Sequence, residues 1–299
     1  MRIYAFAAAL VALVLAAVIT AVVVRHPWSG AAAGRPVRSA TTRDASQSLR
    51  SRSAPLKASP SPAPATSTPA ASPAPAAAVD SPPGSVPGWR LVYSQNFDGS
   101  GLPPGWEAYE GHPHNDPYSS WDPANDVVSG GELHLLATPS GGAGGVGYRG
   151  TPQTYGMFLV RMKGDYEPGL QMSDIALLWP DSSVWPPEID FFEDHGGTRS
   201  GYLATVHPGP DGDNSHQIHA QVNNNATQWH TYGVEWTPTS ITFTIDGHPA
   251  GSVVSSTGLP AWPDIPMNLD LQSQNLGPAQ PSHSIETMTV DWVAEYAMG

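Results

Sequence analysis

Trp185-Pro186-Pro187-Glu188-Ile189-Asp190-Phe191-Phe192-Glu193-Asp194 is the stretch that decides how this sequence folds. Side chains alternate along a strand, so Glu188 and Asp190 share one face and Ile189 points the other way. Glu193 has the wrong parity for that face. A single β-bulge at Phe191-Phe192 would insert one residue and return Glu193 to the side of Glu188 and Asp190. It would also explain two adjacent phenylalanines, as core packing around the kink. Three carboxylates would then line one face.

The flanking sequence supports a sheet. Glu132-Leu133-His134-Leu135-Leu136 begins as an alternating strand, and Phe158, Val160 and Met162 alternate with Leu159, Arg161 and Lys163. Tyr232, Val234 and Trp236 alternate with Gly233 and Glu235, and Ile241, Phe243 and Ile245 with Thr242, Thr244 and Asp246. Asp246-Gly247 is a tight-turn signal. Met288, Val290 and Trp292 are read as the inner set of a late strand. Nothing between 88 and 299 holds a helical period. Many short two-sided strands separated by Gly, Pro and Asn predict an all-β sandwich or jelly roll for residues 88–299.

The preceding residues divide in two. Ile3 to Val24 is an uncharged stretch between Arg2 and Arg25, long enough to span a bilayer as a transmembrane helix. Residues 1–28 are therefore expected to be a membrane signal anchor, with cleavage near Ala31-Ala32-Ala33-Gly34 as the alternative. The arginines beyond Arg25 would favour a cytoplasmic location for the C-terminal side of that helix. The rule is set aside here because the chemistry of the C-terminal domain suits the outside of the cell. Residues 29–87, rich in Ala, Pro, Ser and Thr, cannot bury a core and are expected to be a disordered, proline-stiffened linker.

The 299 residues carry 13 Lys and Arg against 26 Asp and Glu. Residues 1–87 hold 8 basic and 2 acidic side chains, and residues 88–299 hold 5 and 24, a balance of −19. Such acidity repels polyphosphate, so nucleic acid is excluded as the main partner, while an uncharged ligand is not. No cysteine is present, which rules out disulfides, a thiol nucleophile and thiolate metal sites.

A row of three like charges is costly, because each raises its neighbours' pKa values. A solvated acidic edge or a calcium site would be the structural explanation. Perturbed carboxylates cluster at functional sites, which favours a catalytic one. With the bulge discounted, Glu188 and Glu193 have Cα atoms about 13 Å apart. Leaning inward across a curved sheet, their carboxyls can come to about 5–5.5 Å, the separation of a retaining glycosidase. Asp190 sits between them.

Glu188-Ile189-Asp190-Phe191-Phe192-Glu193 resembles the bulged E-x-D-x-x-E signature of glycoside hydrolase family 16, the laminarinase and agarase group. The resemblance extends to Phe97-Asp98-Gly99, Ser129 to Leu133, Tyr155 to Arg161, Leu178-Trp179-Pro180, His207, Trp229 to Trp236 and Val290 to Val293. It implies a β-jelly roll of the concanavalin A-like lectin/glucanase type with an open cleft, and endo-hydrolysis with retention. It makes Glu188 the nucleophile, Asp190 the assisting carboxylate and Glu193 the acid/base. It also implies a calcium on the convex side, with Asp291 in the position of its carboxylate ligand, and no required cofactor. Leu159, Pro187, Ala294 and the loop Gln272 to Gly277 depart from the family pattern, and these departures bear on substrate preference.

Nine tryptophans lie within 88–299. Trp179 and Trp185, next to the carboxylates, are expected to wall the sugar subsites, with Trp121 as a further candidate. Trp236 and Trp292 are expected in the core. Gln272 and Gln274 share a parity with Asn268 and Asp270 and are candidate donors to sugar hydroxyls, as His207 is on the catalytic face. The pairs His112/His114 and His216/His219 lack a third metal ligand, and Asp211-Gly212-Asp213-Asn214 lacks the later glycine and glutamate of a calcium loop. The expected protein is an extracellular monomer acting on a polysaccharide, β-1,3-glucan foremost, tethered to the membrane or released from it. A lectin-like binding module and a transglycosylase are the rival readings.

Overall fold

The computed structural model describes residues 81–113, 117–165, 171–194, 199–208, 218–251, 254–257, 259, 261–280 and 283–299, with 218–220 as backbone only. The expected membrane segment, most of the linker, His114, His216 and the 211–214 loop lie outside the described residues. Among the described residues, no helix is long and apolar enough to cross a membrane.

Seventeen strands are present among the described residues. They are β1 (Trp89–Gln95), β2 (Trp106–Ala108), β3 (Ser120–Trp121), β4 (Asp126–Ser129), β5 (Glu132–Ala137), β6 (Gly142–Tyr148), β7 (Gly156–Gly164), β8 (Met172–Pro180) and β9 (Glu188–Glu193). Next come β10 (Gly201–His207), β11 (Ile218–Asn223), β12 (His230–Trp236), β13 (Ser240–Ile245), β14 (His248–Pro249), β15 (Val254–Ser255), β16 (Met267–Asn275) and β17 (Glu286–Met298).

Two sheets face each other. One runs β14-β13-β12-β7-β17-β5-β4, with β1 on β17 and β15 on β13. The other runs β11-β10-β9-β8-β16-β6-β2. Every strand pairing is antiparallel except the short β3–β6 contact. The all-β sandwich expected from the sequence is what forms.

The core between the sheets obeys the alternation. Leu133 and Leu135, Phe158, Val160 and Met162, Val234 and Trp236, Ile241 and Phe243 are all buried in it. Asp246 and Gly247 both have positive φ, 50° and 76°, as a two-residue hairpin turn of mirror-image type requires.

The late strand departs from expectation. Met288 and Val290 enter the core, but the pairing of β17 with β7 shifts between Val290 and Trp292. Val293 then takes the inner position. Trp292 is turned to the outer side, where it is buried with Met157, Leu159, Ala294 and Tyr296. Val86 packs on that cluster and Tyr296 donates to the Pro83 carbonyl at 2.6 Å. Contacts with the sandwich therefore reach residues Pro83 and Val86, within the segment read as linker.

Glu295 shares the inner face of β17 with Val293, and its register partner on β7 is Phe158. Its carboxylate accepts from Thr151 Oγ1 at 2.9 Å and Gln153 Nε2 at 3.3 Å. Burial outweighs both bonds and pushes its pKa from 4.5 to about 7. The folded protein thus holds this proton more tightly than the unfolded chain, so stability is lost as pH rises from 4.5 through about 7. Asp126, pushed to about 8 by burial, acts in the same direction. Glu295→Gln keeps an oxygen for both donors and removes the titration. Its stability should fall less than the parent's across that pH range, by roughly 1–3 kcal/mol. Thermal unfolding at a series of pH values tests this, and parallel pH curves for the two proteins would contradict it.

Candidate active site

β9 lies between β8 and β10. Glu188 is opposite His207, Asp190 is opposite Thr205 and Leu177, and Glu193 is opposite Leu203 and Ile175. Both pairings slip by one residue between Asp190 and Glu193. The slip is the expected bulge, and Ile189, Phe191 and Phe192 are all in the inter-sheet core. Phe192 packs against Tyr202 and Tyr232, with ring centroids 4.7 and 4.3 Å away. The three carboxylates are thereby brought together on the opposite face.

Their surroundings separate them. Trp185 Nε1 donates to Glu188 Oε2 at 2.8 Å. His207 Nε2 lies 3.1 Å from Asp190 Oδ2 and 3.9 Å from Glu188 Oε2. Burial, then Asp190, drive the Glu188 pKa well upward, and the Trp185 bond opposes them. Glu193 is pushed up by burial, Asp190 and Asp194, with nothing opposing. Pairs of carboxyls held in unequal environments are how acid and base roles are divided. Both carboxyls are pushed upward, and only Glu188 has a hydrogen bond that opposes the push. Glu188 Oε1 and Asp190 Oδ1 are buried without hydrogen-bond partners, as atoms awaiting a ligand would be.

The same face continues across β8, β16 and β6. Asn268, Asp270, Gln272 and Gln274 are opposite Trp179, Leu177, Ile175 and Ser173, so the parity read from the sequence holds. Gln274 Oε1 and Asn268 Oδ1 have no partner. Gln272 approaches the Tyr109 hydroxyl without completing a hydrogen bond. Asp270 is different: Arg149 grips it in a forked ion pair and Tyr109 Oη donates to it at 2.5 Å. Gly145 and Gly147 leave the space: a methyl group on Gly145 would strike Tyr109 and Trp121, and one on Gly147 the Arg149 guanidinium.

Trp185 is half-buried beside His207, with ring centroids 5.7 Å apart, as well as bonded to Glu188. Trp179 is 4% exposed and packs with Ile175, Leu177 and Trp185, so it backs Trp185. Trp121 is 3% exposed, edge-on to Tyr109, with Nε1 unpartnered. Sequence reasoning misses the Arg149–Asp270–Tyr109 group. The parity of Asp270 is a signal for one member, and nothing local marks the other two.

Glu188, Asp190 and His207 each offer an atom within 4.8 Å of the others and could hold a metal ion. Asp291 instead accepts from Arg161 Nε at 3.1 Å on the outer face. A guanidinium in that position competes with a cation, and Asp291 belongs to no group of three ligating side chains among the described residues.

Residues 115–294 match the family described as glycosyl hydrolases family 16. The endo-1,3-1,4-beta-glycanase EglC of Rhizobium meliloti is 32% identical over 99 residues, covering 33% of this chain and 21% of that protein. The endo-1,3-1,4-beta-glycanase ExsH of the same organism is 30% identical over 147 residues, covering 45% of this chain and 31% of that protein. The chain thus spans less than a third of the length of either relative. The catalytic domain of an endo-1,3-beta-glucanase (laminarinase) from Thermotoga petrophila superimposes with a TM-score of 0.62 at 21% identity, over 70% of this chain and 98% of that one. The laminarinase from Rhodothermus marinus gives 0.60 at 24% identity, over 71% and 98%. These structures share the sandwich fold. With the match covering more than half of its length, the chain belongs to glycosyl hydrolases family 16.

Proposed function

We propose that the protein is a retaining endo-β-glycanase that hydrolyses an uncharged polysaccharide, with β-1,3-glucan the foremost substrate. The observation that carries this reading is the bulge that turns Glu193 to the face of Glu188 and Asp190. The activities of the relatives support the substrate class. A strongly acidic domain whose cleft-side Asp270 is already neutralised by Arg149 suits a neutral polymer better than a sulfated one.

In the first step a Glu188 oxygen attacks the anomeric carbon. The glycosidic bond breaks and the leaving oxygen takes the Glu193 proton. Esterifying Glu188 removes a negative charge from the site, so the Glu193 pKa falls and its carboxylate stays ionised, ready to act as a base. A water then gives its proton to Glu193, its oxygen attacks the anomeric carbon, and Glu188 departs as carboxylate. Asp190, held by His207, steadies the charge between them. Trp185 orients Glu188 and favours its ionised form against the upward push of burial and Asp190. The apolar stretch Ile3 to Val24 and the proline-rich segment after it support an extracellular enzyme, tethered or released.

A reducing-sugar assay against laminarin, lichenan, agarose and carrageenan tests the reading. The parent should release ends from laminarin or lichenan. Glu188→Gln should lower turnover by on the order of 10³-fold or more while polymer binding persists. Equal activity in the variant would remove Glu188 as nucleophile, and a parent that binds but cleaves no polymer would favour a lectin-like module.

Proton NMR of the first products reports the stereochemistry. Retention requires the β-anomer to accumulate before mutarotation, and α-anomer appearing first would exclude the double displacement.

A further inference from the structure

Directly behind Glu193 lies a second charged cluster, closed off from solvent and unused by the chemistry above. Arg199, fully buried and at φ 53°, reaches three carboxylates. Its guanidinium is paired with Asp194, with Asp174 Oδ2 at 3.0 Å and with Glu286 Oε2 at 2.8 Å, and its Nε donates to the Asp165 carbonyl at 2.9 Å. Ser273 Oγ donates to Asp174 Oδ1 at 2.9 Å.

The cluster grips the residue next to Glu193. The Asp194 backbone N–H donates to the Asp174 carbonyl and the Asp174 N–H to Asp194 Oδ1, both at 3.2 Å. Ser173 Oγ also donates to the Asp194 carbonyl. The end of β9 is therefore tied to β8 directly and to β17 through Arg199. This is the point where the bulge has just turned Glu193 toward the other carboxylates, and a strand end free to slip by one residue would turn it away.

The charge matters as well as the grip. Among the described residues the three carboxylates outnumber the one guanidinium. Burial pushes Asp174 up to about 7 against the pull of Arg199, and the three carboxylates hold Arg199 charged. On its own strand Glu193 faces Asp190 and Glu188. Its paired residues, Ile175 on β8 and Leu203 on β10, are apolar. From β12, Tyr232 packs on Phe192 and feels the Asp194 charge. Residues 195–198 lie outside the described residues.

We infer that Arg199, Asp174, Asp194 and Glu286 form a positioning device for Glu193: the cluster locks the strand end that aims it, and its excess negative charge keeps it the proton-bearing partner of Glu188. The inference rests on the proposed role of Glu193 as acid/base. It goes beyond that role in assigning the residues that set it.

The test uses the full chain, with the pH profile of kcat/KM and the melting temperature measured for the parent, Asp194→Asn and Glu286→Gln. Removing a negative charge behind Glu193 lets its proton leave more easily. The alkaline limb should therefore move to lower pH, by about one unit for Asp194→Asn and by less for the more distant Glu286→Gln. Variants that melt earlier with an unmoved limb would overturn the inference, because a purely structural cluster gives that pattern. Should Asp194→Asn fail to fold, Glu286→Gln decides alone: an acid-ward shift supports the inference and an unmoved limb overturns it. Glu193→Ala with an aryl glycoside bearing a good leaving group separates the two layers. Rescue by azide upholds the acid/base role whatever the limb does, and no rescue removes that role and the inference with it.

Discussion

Inserting one residue into a strand reverses the facing of everything beyond it, and the site depends on that reversal happening once, between Asp190 and Glu193. Without it Glu193 would enter the apolar layer that holds Ile189, Phe191 and Phe192. A lone carboxylate there would cost several kcal/mol or remain neutral and useless. With it, the two phenylalanines occupy the core together and Glu193 joins the carboxylates. Packing of Phe192 against Tyr202 and Tyr232 is what makes the irregular strand favourable. The hydrophobic term and the catalytic geometry are thus two results of the same kink.

The proposed mechanism needs the gathered carboxylates to be unequal, since two glutamates with matched pKa values cannot divide acid from nucleophile. The indole N–H of Trp185 on Glu188, and its lack of any counterpart at Glu193, provides the asymmetry. The polar row on β16 extends the same face with amides and an internally neutralised Asp270, so that hydrogen bonding is offered across it without adding net charge.

Much of this is legible in the sequence because strand parity is a short-range property. The facing of Glu188, Asp190 and Glu193, the core positions of Phe158, Val234 and Phe243, and the row from Asn268 to Gln274 all come from counting by two and admitting one bulge. The bulge at Asp291 is not legible. No doubled aromatic or mismatched charge marks it, so alternation places Trp292 with Met288 and Val290, while the residue is buried in a separate cluster on the other side of β17. Contacts between residues distant in sequence are equally hidden. Arg149 meets Asp270 across 121 positions, and Arg199 meets Glu286 across 87. Such pairs are created by the pairing of β6 with β16 and by the approach of β17, and no local pattern encodes them. The nearness of Trp179 and Trp185 to the carboxylates can be read from their positions. Their division of labour, one bonded to Glu188 and one behind it, depends on ring orientation and cannot.

A single bulge gives Glu188 and Glu193 a common face, and the proposal gives them different work, which trapping a covalent intermediate tests most directly. The protein would be incubated with a 2-deoxy-2-fluoro-β-glucosyl oligosaccharide bearing a good leaving group, digested, and the modified peptide sequenced by mass spectrometry. The expected result is a single glycosyl ester on Glu188. An ester on Glu193 or Asp190 would contradict it.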